Sequence, residues 1–130
     1  MSNHLVLLSC LLVTSLPVQA RAEQQTLLGN WVSRGQQETR TLTLNDNGKG
    51  QFLSEHTLGQ CLAPLDTVID GGYVMAAGLA KNCQQKDNAV AFELYCQQTT
   101  VNQLRCKIHS KHQLSDNIIQ GVEDFQRISR

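Results

Sequence analysis

The chain reads as an all-β domain: a small antiparallel barrel or sandwich of about eight strands in meander order, stapled by two disulfides. Three observations carry that reading. Turn signals recur at short intervals with alternating or β-branched segments between them, and no long helical period competes. Residues 1–22 look like a secretory leader. The four cysteines that follow it, Cys61, Cys83, Cys96 and Cys106, are an even number bound for an oxidising compartment.

The leader is mostly apolar from Leu5 to Val18, and Val18-Gln19-Ala20 or Ala20-Arg21-Ala22 offers a small-residue cleavage site. Its apolar run is roughly 14 residues where a membrane span needs about 20, so the segment is expected to be removed and no stable span is expected. His4 stands in the opening stretch, where a typical leader carries Lys or Arg. Leu7-Leu8-Ser9-Cys10 loosely resembles a bacterial lipobox, but it lies close to the start with apolar residues continuing past it, so Cys10 is assigned to the leader. The expected location is secreted or periplasmic. What remains, 23–130, is one domain of about 108 residues, a size that buries only about two thirds of its unfolded surface and gains from cross-links.

The first strand is expected over Leu28 to Ser33. The second, Thr39 to Asn45, alternates cleanly at Leu42 and Leu44, and Asp46-Asn47-Gly48 follows as a turn that tolerates positive φ. In the third, Gly50 to Thr57, Phe52 and Leu53 are adjacent and cannot both point inward without a bulge, so its register stays unassigned. The fourth and fifth, Leu62 to Ile69 and Tyr73 to Gly78, flank the Asp70-Gly71-Gly72 turn. A polar stretch from Asn82 to Asn88, reversing at Lys86-Asp87-Asn88, leads to Ala89 to Gln97. The Thr100-Val101-Asn102 reversal leads to Gln103 to Ser110. The largely polar run from Ser110 to Gly121 is expected to be a loop or a single helical turn, before a last strand over Val122 to Ile128.

The hairpin around Val101 contains its own test. Setting Cys96 opposite Cys106 makes Leu94 face Ile108 and Gln98 face Leu104, and the period of two then gathers Val90, Phe92, Leu94, Cys96, Leu104, Cys106 and Ile108 on one side. The other side pairs Glu93 with His109, Tyr95 with Lys107 and Gln97 with Arg105, a plausible wet surface. A direct Cys96–Cys106 bridge is therefore preferred, leaving Cys61 with Cys83. The other two pairings stay open at this level.

Composition excludes several function classes. Eleven acidic residues balance eleven basic ones, so there is no field to attract nucleic acid or anionic lipid. Scattered Gln-Gln pairs starting at Gln24, Gln36, Gln84 and Gln97 suggest a neutral wetted surface. No cysteine pair has C-x-x-C spacing, and His109 and His112, three apart on a strand, diverge to opposite faces. Glu93 with His109 is read as a surface pair. Asp66 and Asp70 share a face, but Asp70 opens a turn where aspartate is favoured, and no G-x-S-x-G elbow is present. Gly71-Gly72 is a turn and no phosphate cradle, because no helix pattern follows it. No catalytic residue, metal ligand or cofactor is expected.

Leu28-Gly29-Asn30-Trp31 places a Gly-x-Trp at the opening of the first strand, and Arg127 lies near the end of the last. This arrangement resembles lipocalin-like barrels. The resemblance implies that Trp31 packs at the closed end of the barrel and Arg127 lies across it as structural closure, where a guanidinium over indole gains a cation–π contribution. The internal motif of the larger lipocalins is absent. The pattern is also similar to small exported barrels that inhibit bacterial metalloproteases, in which a short N-terminal trunk enters the protease cleft. Glu23 to Thr26 is the candidate trunk here, although that family's cysteine arrangement differs. The expectation is an exported non-enzymatic binding module, most specifically an inhibitor-like protein that contacts another exported protein such as a hydrolase. The alternative is a small lipocalin-like carrier of an apolar ligand.

Overall fold

The computed structural model describes residues 27–57, 59–81, 83 and 89–129. Eight antiparallel strands follow one another as β1 (Gly29–Arg34), β2 (Glu38–Leu44), β3 (Lys49–His56), β4 (Gly59–Asp70), β5 (Tyr73–Ala80), β6 (Val90–Thr100), β7 (Gln103–His112) and β8 (Ile118–Ser129). Each pairs with the next, and β8 returns to β1, so the meander closes into a barrel. Closure removes the exposed edges that an open sheet would present. The leader, Cys10, the Glu23 to Thr26 trunk and the Lys86-Asp87-Asn88 reversal lie outside the described residues.

Alternation decides which side chains fill the barrel. Leu42, Leu44, Phe52, Ala63, Leu65, Val74, Leu94, Leu104 and Phe125 are buried in one cluster with Trp31 and Leu27. Phe52 meets Phe92 edge-on at 5.2 Å between centroids and tilts towards Phe125 at 6.4 Å. At about 25 cal/mol per Å² of apolar area, such side chains dominate the stability of a domain this small.

Both disulfides form within the interior, Cys61 with Cys83 and Cys96 with Cys106. The β6–β7 register matches the sequence argument residue for residue: Cys96 faces Cys106, Leu94 faces Ile108 and Gln98 faces Leu104. The Cys96 and Cys106 Cα atoms are 4.0 Å apart, within reach of a direct cross-strand bridge.

One open register is settled and one expectation changes. Phe52 and Leu53 need no bulge, because β2 and β3 pair without a break; Phe52 points inward opposite Leu42, while Leu53 stays half-buried outside beside Leu62. The run from Ser110 to Gly121 is mostly strand, with β7 continuing to His112 and β8 starting at Ile118. Lys111 pairs with Ile118 and Ser110 with Ile119, so ladder hydrogen bonds override a polarity that local reading took for a loop.

Glycines matter at two places. Gly71 has φ of 60° in the β4–β5 turn. A Cβ on Gly78 would sit 2.0 Å from the Pro64 carbonyl oxygen, so only glycine lets β5 approach β4 there.

Candidate functional site

Trp31 and Arg127 are direct partners across β1 and β8. Trp31 is fully buried, its indole Nε1 donates to the Leu27 carbonyl at 3.0 Å, and the Arg127 guanidinium lies 4.1 Å from the ring centroid. Arg127 also donates through Nη1 to the Leu28 carbonyl and through Nη2 to the Val101 carbonyl, both at 3.1 Å. One side chain thus ties the N-terminal segment and the β6–β7 turn to the end of the last strand. These contacts build the barrel floor and offer no reacting group.

The seam between β8 and β1 is narrow, running from Asn30 opposite Ser129 to Val32 opposite Gln126. Beyond it, Arg40 of β2 reaches across to Glu123 of β8. Arg40 Nε also lies 3.2 Å from Glu38 Oε1, a charge contact without hydrogen-bond alignment. This clasp bridges β2 and β8 beyond the last β1–β8 pair, while β1 still pairs with β2.

The outer face of β4 to β8 has a different character. Cross-strand pairing lines up Val68, Met75, Tyr95, Lys107 and Val122 in one row over five strands. The adjacent row towards the β4–β5 turn holds Asp70, Tyr73, Gln97, Arg105 and Asp124; the row on the other side holds Asp66, Ala77, Glu93, His109 and Gln120. Val68, Tyr73, Met75, Tyr95 and Val122 are between 44% and 61% exposed, although each sits on the outward parity where a polar residue would be ordinary. Together with Arg105 and Lys107 they line a groove of about 560 Å³. Aromatic residues, Met and Arg are the types that concentrate at protein interfaces.

Charge on this face is sorted by strand. β4 presents Asp66 and Asp70, whereas β7 presents Arg105 and Lys107 three strands further round. Arg105 Nε donates to Asp124 Oδ1 at 2.8 Å, and the guanidinium holds the Asp124 carboxyl below the usual aspartate range. Tyr95 donates its phenolic proton to Glu93 Oε2 at 3.1 Å, and that carboxylate pushes the phenol above its ordinary pKa. The His109 ring stands edge-on to Tyr95 at 5.8 Å. Glu93 and His109 are cross-strand neighbours, with Tyr95 engaging both. His109 shares this outer face, while His112 follows the inward parity of Val90. Asp66 pairs with Lys49 of β3.

No protein-family model matches the chain, and no curated protein matches it. Among solved structures it is similar to the crystal structure of Treponema pallidum Tp0751 (pallilysin), with a TM-score of 0.57 and 10% identity over 94% of this chain and 96% of that chain. The likeness is one of fold. It matches the whole barrel with almost no sequence in common, and carries no residue role from one chain to the other.

Reading the β6–β7 hairpin alone classed Tyr95 and Lys107 with a wet surface and missed the apolar row. The signal lay in the outward positions of the strands before it. Met75 alternates with the buried Val74 and Ala76, and Val68 with the buried Thr67, so both had to face outward. Only the pairing of β4 with β5 and of β5 with β6 brings them beside Tyr95.

Proposed function

We propose that the protein is an exported, non-enzymatic binding module that engages another protein through the outer face of β4 to β8. The carrying observation is the row of Val68, Met75 and Tyr95, with Val122 beyond Lys107, an exposed apolar run on a face whose strands could have been polar. The groove supplies concavity, and Tyr95 and Met75 supply large contact area at its centre. Export is supported by the leader-like first 22 residues and by two buried disulfides, which persist in oxidising compartments.

The interior weighs against the carrier reading. Trp31, Phe52, Phe125, Leu42, Leu94 and Leu104 occupy the space an apolar ligand would need, and the Cys96–Cys106 bridge projects into it from the β6–β7 wall. The inhibitor version of the proposal, implied by the resemblance to small exported inhibitor barrels, would set a hydrolase against the outer face.

A photo-reactive amino acid placed at Tyr95 tests the reading in the native compartment, with Gln51 on the outer side of β3 as control. Covalent adducts with a protein should form from position 95 and not from 51. Equal yields from both positions would show that the face has no special role.

A further inference from the structure

We infer that the outer face of β4 to β8 closes on a second copy of this chain, forming an isologous dimer whose two-fold axis runs along the strands between β5 and β6. The inference rests on the reading of that face as the contact surface and names its resident partner. A two-fold interface requires a patch complementary to itself. This face has that property in both of its components.

The apolar component is central. Met75 and Tyr95 are paired across β5 and β6, so an axis between those strands sets Met75 of one copy over Tyr95 of the other, and the reverse. Aligned sheet faces pack about 10 Å apart, which lets such side chains interdigitate and covers surface that water otherwise wets.

The charged component is lateral and chooses the axis. Rotation about a line parallel to the strands carries β4 of one copy over β7 of the other. Because rows are preserved, Asp70 then faces Arg105 of the second copy, while Asp66 faces its His109 and Val68 its Lys107. Rotation about a line crossing the strands would stack β4 on β4 and β7 on β7, placing like charges together. Complementary charge selects register and rejects the wrong arrangement. The ion pairs already present, Lys49 with Asp66 and Arg105 with Asp124, are solvent-exposed and weak, so they leave these groups able to take a new partner. The dimer keeps the apolar stripe covered until a foreign partner displaces the second copy.

Charge swapping tests this on the full mature protein by sedimentation equilibrium. The wild type should be a dimer at high concentration that weakens as salt rises. One variant carries Arg105→Glu and Lys107→Glu, the other Asp66→Lys and Asp70→Lys. Each alone should lose dimer affinity by about tenfold or more, because both half-interfaces become like-charged. Mixed one to one, the two variants should recover a dimer, since each supplies the sign that the other now needs. Circular dichroism confirms that both fold, and if either does not, the salt response of the wild type together with Tyr95→Asp still decides the question. A wild type that stays monomeric at every concentration, or variants that dimerise unchanged, would overturn the inference. That result would leave adducts from position 95 with other proteins standing, so the two readings fail separately.

Discussion

Where β1 begins, Leu27, Trp31 and Arg127 close the barrel by packing and hydrogen bonds; at the opposite end a covalent bond from Cys61 to Cys83 holds the β5–β6 connection against the start of β4. The difference follows from what each end has to bury. At the floor, large side chains converge, and Trp31 and Leu27 are fully enclosed. At the other end small or polar inward residues, Ser54, Ala80, Gly121 and the Arg40–Glu123 clasp, stand among the buried Val90, Phe92 and Ile108. There the Cys61–Cys83 bridge adds to packing a cross-link that restricts the unfolded chain. A small barrel can thus close one mouth by hydrophobic burial and strap the other.

The largest effect should come from removing the floor. Trp31→Ala creates a cavity, frees the Leu27 carbonyl and leaves Arg127 without its ring, for an expected loss of about 3–5 kcal/mol in denaturant unfolding. Arg127→Lys should cost much less, because the charge persists while the planar stack is lost. A Trp31→Ala loss no larger than that of Arg127→Lys would break the contrast between a packed and a strapped end.

Next comes the strap. Replacing Cys61 and Cys83 together by alanine should cost about 3 kcal/mol, slightly more than the same change at Cys96 and Cys106, since the sequence separations are 22 and 10. Hydrogen exchange sharpens the comparison. Opening should concentrate at the β5–β6 connection in the first variant and extend along β6 and β7 in the second. Uniform exchange in both would mean that neither bridge is local to its end.

The smallest effect concerns pH on the outer face. Because Arg105 lowers the Asp124 carboxyl in the folded protein, that pair contributes stability at pH values above the ordinary aspartate range. The contribution is lost as pH falls through the folded-state value. Asp124→Asn should therefore flatten the acid limb of a stability–pH curve slightly and leave neutral pH nearly unchanged. The side chains are exposed, so the change should be near the limit of measurement.

Much of the architecture was legible in the chain. Cys96 opposite Cys106 is the preferred register around the Val101 turn, because it gathers Val90, Phe92, Leu94, Leu104 and Ile108 on the same side as both cysteines, and the structure has that register. The run after Ser110 was not legible: its strand character comes from Lys111 and Ser110 finding Ile118 and Ile119 across a ladder, a non-local gain. The contact face was hidden for the same reason. Val68, Met75, Tyr95 and Val122 are scattered over 55 positions and become a row only through four successive pairings.

Residue order by itself indicated which side chains of the Val101 hairpin alternate inward, favoured Cys96 with Cys106 across it, and marked the turns at Asp46 to Gly48 and at Gly71, since these depend on neighbours within a few positions. Tertiary structure alone decided that the sheet closes on itself as a barrel, that Arg40 reaches Glu123, and that Val68, Met75, Tyr95 and Val122 share one row across five strands. Lateral register accumulates strand by strand, and side chains distant in the chain acquire a common surface only once every pairing is set.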